Sequence, residues 1–408
     1  MRLEIRSEQL AGELATLATF SDSPPPSVTR LVFSEQDLRA HEYVKGLCRA
    51  AGLAVREDGV GNTFACWCGS EPDLPAVATG SHIDAIPNAG AYDGTVGVLG
   101  GLEAIRALQR AGVHPQRSVE LIVFSAEEPT LFGIGCFGSR LLAGVLDPAV
   151  LRDRDGKSLD EWRAEAGFSG SVARVALSPG HYRAFIELHI EQGPLLERAG
   201  IPIGVVTAIA APAMLRVTIE GEGGHAGAVL MPDRHDAFCA AAEMALMIER
   251  AAHRAPDTVG TVGVCDVFPG AVNSIPSRVR LEVDVRDIDL GRRDSVLEEI
   301  VCRSTEIAAR RGVRSNIEAL NVDAPATCDS DIIGALTRAA TAHYLASQPM
   351  VSRAYHDSLF MSRIAPTAML FIPCRDGVSH RPDEYASPEA IAAGVLVLAE
   401  ALAELAAR

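Results

Sequence analysis

The residues best suited to chemistry begin in a glycine-rich segment, residues 79–94, which follows an apolar run. This segment contains one imidazole and two carboxylates, at His82, Asp84 and Asp93. An apolar run that ends in such a loop is typical of a buried strand in an open α/β sheet, where ligands bind at the carboxyl ends of strands. The three side chains could form half of a metal site, although a polar loop that only caps a strand would have the same composition.

A second segment places two adjacent carboxylates at the end of a buried strand. Residues 121–124 form a continuous apolar run, as expected of a parallel strand buried on both faces, and Glu127 and Glu128 follow it closely. Two buried carboxylates repel each other and lose hydration, so they need a counter-charge, which a divalent metal ion would supply. Because adjacent side chains of an extended chain point in opposite directions, one carboxylate could bind metal while the other faces the attacking water.

Two further histidines are placed in the same way. His189 lies near the end of a predicted strand, and His380 follows the apolar run 368–372. Four separate polar clusters at four strand ends are hard to explain as decoration of the surface. We therefore interpret them together as the site of a hydrolase that uses two metal ions.

The spacing of apolar residues changes near residue 210. Earlier strands are continuously apolar, whereas Leu215, Val217 and Ile219 alternate with polar residues, which indicates antiparallel strands with one wet face. Helices are predicted between such strands, at residues 236–250 and 294–311.

These patterns predict two domains. The first is an α/β domain with a mixed, largely parallel sheet flanked by helices, formed by residues 1–210 and 321–408, and it carries the metal-binding clusters. The second is an inserted α+β domain, residues 211–320, with a four-stranded antiparallel sheet and two helices.

Composition limits the class of partner and the compartment. The chain has 408 residues, 48% of them hydrophobic and 22% charged, as in a soluble globular protein with more than one core. A formal charge of −16 argues against nucleic acid or an anionic membrane as partner. Nine cysteines without a Cys-x-x-Cys pair predict reduced thiols, and residues 1–20 resemble an amphipathic helix more than a secretory signal. We expect a cytoplasmic protein.

Taken in order, the clusters resemble the aminoacylase/carboxypeptidase superfamily of dinuclear metallohydrolases. Within it they are similar to the ureido-hydrolysing branch, which holds N-carbamoyl-L-amino acid hydrolases, allantoate amidohydrolases and ureidoglycolate amidohydrolases. The resemblance covers nearly the whole chain. The segments most similar to the plant-type ureidoglycolate amidohydrolases are residues 77–93, 203–212, 221–236, 269–289 and 352–361.

The resemblance implies two divalent metal ions, with Mn²⁺ expected first and Zn²⁺, Co²⁺ or Ni²⁺ as alternatives. It implies five ligands, in two pairs on separate ions and one bridging carboxylate: His82 with His189, Glu128 with His380, and Asp93. Asp84 would accept the far ring N–H of His82 and fix its tautomer. Glu127 would be the general base, taking a proton from water and passing it to the leaving nitrogen, unless it only caps a helix.

The resemblance also implies a homodimer whose inserted domain is the dimerisation (lid) domain. His225 would act in the partner's site and stabilise the tetrahedral oxyanion. Asn273 and Arg286 would hold the substrate carboxylate, and Gln192 would orient the ureido group. The motif at residues 355–357 matches the branch without an assigned role.

The implied reaction is hydrolysis of the ureido C–N bond of a small ureido acid in purine (allantoin) catabolism. The first expectation is (S)-ureidoglycolate, giving glyoxylate, ammonia and carbon dioxide; allantoate and N-carbamoyl-L-amino acids are the alternatives. Residues 228–230, Ala-Val-Leu, stand where many carbamoylases and allantoate hydrolases have Thr-x-Pro. The missing hydroxyl near His225 agrees with the ureidoglycolate-type segments. An inactive binding protein is disfavoured because every expected ligand and the base are present.

Overall fold

The computed structural model describes residues 3–407. Within them the strands are, in chain order, β1 (Val28–Arg30), β2 (Ala54–Glu57), β3 (Thr63–Trp67), β4 (Ala76–His82), β5 (Ala85–Ala89), β6 (Val119–Phe124), β7 (Tyr182–Ile190), β8 (Ile203–Ile209), β9 (Ala211–Glu220), β10 (Gly224–His225), β11 (Val259–Phe268), β12 (Ser274–Ile275), β13 (Arg278–Asp287), β14 (Arg314–Val322), β15 (Ala326–Thr327), β16 (Ser347–Ser352) and β17 (Thr367–Ile372). The α-helices are α1 (Ser7–Ala18), α2 (Glu35–Ala50), α3 (Thr95–Arg110), α4 (Phe137–Leu142), α5 (Leu159–Glu165), α6 (Leu195–Ala199), α7 (Ala237–Arg254), α8 (Leu290–Arg311), α9 (Ser330–Ala342), α10 (Asp357–Met361) and α11 (Pro388–Ala406).

The chain forms two compact units. The first comprises the residues up to Thr207, the segment Cys328–Met350 and the residues from His356 onward. The second comprises Ala208–Thr327 and Val351–Tyr355, and so is wider than the expected insert at 211–320. Its sheet continues to the end of β14, and the backbone N–H of Ala210 donates to Ser352 O, which ties the later segment to it.

The first unit is built on a mixed sheet whose strands lie in the order β8-β17-β7-β4-β6-β3-β2. Its central strands β17, β7, β4 and β6 are parallel, and β6 and β17 are buried throughout, as continuous apolar runs predict. The strands β8, β3 and β2 pair antiparallel at the edges. The sheet is therefore mixed as predicted, but "largely parallel" is wrong, because tight connections such as that between β2 and β3 allow only antiparallel pairing.

The glycines of α3 bring this helix close to the sheet. A Cβ atom on Gly97 would lie 2.4 Å from Leu188 O of β7. No larger residue could hold α3 in this position, directly behind the carboxyl ends of β4 and β7.

The second unit has an antiparallel sheet in the order β11-β13-β9-β14, covered on one face by α7 and α8. Alternate residues of β13, such as Val279 and Leu281, are buried against the helices, while Arg280 lies on the other face. The helix α8 begins at Leu290 instead of 294, because the side chain of Asp289 caps it by accepting the N–H of Arg292.

The described residues were expected to lack membrane-spanning helices and to carry reduced thiols. Among residues 3–407, no helix has both the length and the apolar character that crossing a bilayer requires. The nine cysteines all have free thiols. Residues 1 and 2 of the predicted amino-terminal helix lie outside the described residues, and α1 covers Ser7–Ala18.

Candidate metal centre

The four predicted ligand segments meet at one edge of the central sheet. His82 is the last residue of β4, His189 lies one residue before the end of β7, and Glu127 and Glu128 follow β6. His380 lies in the loop after β17. Since these strands are adjacent and parallel, their carboxyl ends lie side by side.

Asp93 lies between two groups of possible ligands and presents one oxygen to each. Its Oδ1 is 3.6 Å from His82 Nε2 and 3.1 Å from His189 Nε2. Its Oδ2 is 3.3 Å from His380 Nε2, which is 3.4 Å from Glu128 Oε1. The first triad is His82, Asp93 and His189, and the second is Asp93, Glu128 and His380. In each triad the possible ligand atoms lie within 4.8 Å of one another, close enough to share one ion. Asp93 therefore has the geometry of a bridging carboxylate.

Asp84 contacts the ring of His82 and the backbone of both adjacent glutamates, Glu127 and Glu128. Its Oδ1 lies 3.2 Å from His82 Nδ1, the position expected of a carboxylate that fixes the ring tautomer. The same carboxylate accepts the backbone N–H groups of Glu127 and Glu128, both at 3.0 Å. Asp84 thus orients one imidazole and both adjacent carboxylates, and only the first of these contacts was predicted.

Glu127 is buried beside the two triads and belongs to neither. Its Oε1 lies 3.7 Å from Cys136 Sγ. The next helix, α4, begins only at Phe137, so Glu127 does not cap a helix. It lies next to the possible metal ligands, with its backbone N–H held by Asp84, and its role as general base stays a prediction.

The site concentrates negative charge in a buried space. Burial raises the pKa of Glu127 well above its usual value, opposed by His82 and reinforced by Glu128 and Asp357. Burial, reinforced by Asp93, raises the pKa of Glu128 to about 7. Divalent cations would supply the counter-charge that these carboxylates need. Imidazole and carboxylate donors, with no thiolate in either triad, suit Mn²⁺ and also accept Zn²⁺.

A third group of possible ligands consists of Glu187, His189 and His356. Both oxygens of Glu187 are already engaged. Its Oε1 accepts the Ser81 hydroxyl at 2.8 Å, and its Oε2 accepts the backbone N–H and the hydroxyl of Ser358 at 3.0 and 2.6 Å. The ring of His356 packs on His189 with 4.4 Å between centroids. This group is better explained as the support that holds His189 in place.

The unassigned motif at residues 355–357 is divided between the two units. Asp357 starts α10, is fully buried and accepts the Ser139 hydroxyl at 2.5 Å. Tyr355 belongs to the second unit, where the guanidinium of Arg286 lies 5.7 Å from its ring centroid. Neither contact could be predicted from local patterns, because the partner in each lies far away along the chain.

Gln192 contacts one of the proposed metal ligands directly. Its Nε2 donates to Asp93 Oδ2 at 2.8 Å. Its φ of 56° is unusual for a residue other than glycine, and such strain persists where the surrounding structure over-determines it. Orientation of the ureido group by Gln192 stays a prediction.

Three residues of the second unit are predicted to bind substrate, and only two of them lie close together within that unit. His225 in β10 is paired with Ser274 of β12, and the N–H of Ala226 donates to Asn273 O, so His225 and Asn273 are neighbours. Arg286 lies near the far end of β13, roughly 25 Å along the strand from its start, at 3.3 Å per residue. One small molecule cannot contact all three within a single copy of this unit.

Arg286 is already engaged by another side chain. Its Nε and one terminal nitrogen donate to Asp284 Oδ2 at 2.9 and 2.8 Å. A substrate carboxylate would have to compete with Asp284 for this guanidinium.

Comparison with known proteins decides the family. A model of the peptidase family M20/M25/M40 matches residues 78–404. The chain belongs to this family. Its members are hydrolases, and the two triads around Asp93 are candidate sites for the metal ions on which such enzymes typically depend.

Relatives within the family are similar over almost the whole chain. A ureidoglycolate hydrolase of Arabidopsis thaliana is 52% identical, over 99% of this chain and 87% of the relative. An N-carbamoyl-L-amino acid amidohydrolase of Geobacillus stearothermophilus is 39% identical, over 98% of this chain and 99% of the relative. Crystal structures of AtUAH in complex with glyoxylate and with (S)-hydroxyglycine have TM-scores of 0.90 and 0.89 at 53% and 52% identity, and both cover 99% of this chain and 98% of theirs.

Proposed function

We propose that this protein is a dinuclear metal-dependent amidohydrolase that cleaves the ureido C–N bond of (S)-ureidoglycolate. The observation that carries the proposal is the placement of Asp93, with one carboxylate oxygen facing each of two ligand triads. The choice of substrate is supported by the similarity to ureidoglycolate hydrolases, which exceeds that to the carbamoyl-amino-acid relative. With glyoxylate as its product, the reaction would belong to the breakdown of allantoin.

The ligands on the first ion would be His82 and His189, those on the second Glu128 and His380, and Asp93 would bridge. Two such ions, with Mn²⁺ as the expected metal, would polarise the ureido carbonyl and provide a nucleophilic water at neutral pH. The remaining steps belong to the protein itself.

Glu127 takes one proton from the attacking water and passes it to the leaving nitrogen. The C–N bond to the hydroxyglycine nitrogen breaks, and the released carbamoyl group yields carbon dioxide and ammonia. Hydroxyglycine then breaks down to glyoxylate and a second ammonia. Gln192, next to Asp93, would orient the ureido group.

His225 would stabilise the oxyanion that forms on the carbonyl oxygen when water adds to the ureido carbon. Its Nδ1 accepts the backbone N–H of Gly227 at 3.1 Å, so the neutral ring carries its proton on Nε2 and can donate it to an oxyanion. Asn273 lies beside His225, whereas Arg286 is remote from both within the unit. This separation favours a homodimer in which the two ends of the second unit serve different active sites.

Complementation between subunits tests the shared site. Glu127→Gln and His225→Ala homodimers are each expected to be nearly inactive. Heterodimers formed by mixing and refolding contain one intact composite site, so they should recover a substantial part of the activity. Verified heterodimers without any recovery would place His225 in the site of its own chain or outside catalysis.

A panel of substrates tests the reaction. Metal-loaded protein should release ammonia and glyoxylate from (S)-ureidoglycolate, with kcat/KM well above the values for allantoate and N-carbamoyl-L-amino acids. Ammonia and glyoxylate are measured separately, because only a ureidoglycolate substrate gives both directly. Faster turnover of a carbamoyl-amino acid would move the protein to that activity on the same machinery.

A further inference from the structure

Glu384 is a buried carboxylate that joins the two loops carrying Asp93 and His380. Its side chain is only 5% exposed. Oε1 accepts the backbone N–H groups of Tyr92 and Asp93 at 2.8 and 3.0 Å. Oε2 accepts the Ser379 hydroxyl at 2.9 Å and the backbone N–H of His380 at 3.3 Å.

The geometry requires a carboxylate rather than an amide. The donors reach Glu384 as two pairs, one pair on each oxygen and one pair from each loop. A glutamine at this position would keep its amide oxygen on the N–H groups of Tyr92 and Asp93, because the Ser379 hydroxyl can accept from the NH₂ group while it donates to Asp93 Oδ2 at 2.7 Å. The backbone N–H of His380 would then lose its acceptor, so the loop that carries His380 is the one that a glutamine would release.

The loop that carries His380 has particular need of this support. His380 has a φ of 59°, a backbone conformation that residues other than glycine rarely adopt and that persists only when the surroundings impose it. Its side chain is 47% exposed, whereas His82 and His189 lie on buried strands and are at most 1% exposed. The strands build the first triad, but the second triad depends on how the loop is held.

We propose that Glu384 is a positioning residue that fixes His380 and Asp93 at the separation needed to bind the second ion. The inference rests on the proposed metal centre and deepens it. Removal of the carboxylate should weaken the ion held by Glu128 and His380 and leave the ion at His82 and His189 almost unchanged.

The test is titration of Mn²⁺ into metal-free protein, followed by calorimetry and by electron paramagnetic resonance. Wild type should bind two ions and show the spectrum of an exchange-coupled pair. Glu384→Gln should keep one tight ion with the spectrum of isolated Mn²⁺ and bind the second roughly 10- to 100-fold more weakly, the usual cost of removing a hydrogen-bond partner of a metal ligand. The Mn²⁺ concentration for half-maximal activity should rise by the same factor, while kcat at saturating metal falls much less.

Asp383→Asn is the matched control. Asp383 is exposed and its carboxylate pairs with Arg381, so this variant removes the same charge one residue away and leaves all four contacts of the Glu384 carboxylate in place. It should bind both ions as wild type does. Equal weakening in both variants would show that net charge, not positioning, sets the affinity and would overturn the proposal.

Three other outcomes also decide the proposal. Unchanged binding of both ions by Glu384→Gln, or equal weakening of both, contradicts it. If Glu384→Gln does not fold, Glu384→Asp, which keeps the charge but withdraws it by one methylene, must show the same selective loss. If wild type binds no ion, the proposed metal centre fails, which is distinct from a failure of the role of Glu384.

Discussion

Replacement of Glu127 by glutamine should lower kcat by at least ~10²-fold while both metal ions stay bound, given the usual contribution of a general base. Glutamine keeps the shape of the side chain and cannot accept a proton. The backbone N–H of residue 127 would still donate to Asp84, so the local structure should survive. Steady-state kinetics together with metal analysis of the same preparation measure both effects.

Glu128→Gln is the matched control for Glu127→Gln, because the two residues are adjacent, buried and bonded to the same Asp84. We expect Glu128→Gln to lose affinity for one ion, since Glu128 lies in the triad with Asp93 and His380. Two variants with the same metal content and the same activity would show that the roles of base and ligand are assigned wrongly.

Removal of the metal ions should abolish activity. The carboxylates that crowd the site need a counter-charge, and without it burial favours their protonated forms. After treatment with a chelator, Mn²⁺ should restore activity better than Zn²⁺, because the proposed ligands are oxygens and imidazoles without a thiolate. The measurement is activity against added metal, with bound metal counted by elemental analysis. Full activity in protein that contains no metal would contradict the proposed metal-dependent mechanism.

The segments that carry the proposed ligands could be located from the sequence because their signal is local. A buried parallel strand is written as a continuous apolar run, and the residues just beyond it must lie at the carboxyl edge of the sheet. His82, Glu128, His189 and His380 are found in this way, and the structure brings all four to one edge. The alternating strands and two helices of the second unit are equally local patterns.

The supporting contacts could not be predicted, since they join residues remote in sequence. Glu384 accepts the N–H of Asp93 from almost the other end of the chain, and Ser358 donates to Glu187 from another distant segment. Nothing in the spacing around Glu384 distinguishes it from an exposed acidic residue such as Asp383. Its function follows only from which backbone donors the fold brings to its two oxygens.

The edges of the sheet and the bounds of the second unit also lay beyond sequence patterns. An apolar strand carries no mark of the direction of its neighbour, so the antiparallel edge strands looked the same as the parallel centre. Residues 351–355 join the second unit through contacts with residues remote in sequence, such as the backbone hydrogen bond between Ala210 and Ser352 and the ion pair between Arg353 and Asp257, so no local pattern marks them.

The central claim is that Asp93 bridges two metal ions, and anomalous scattering from crystals of the Mn²⁺-loaded protein tests it most directly. Two manganese peaks are predicted, both within bonding distance of Asp93, one also at His82 and His189 and the other at Glu128 and His380. A single peak among Glu187, His189 and His356, or two peaks that do not share Asp93, would contradict it.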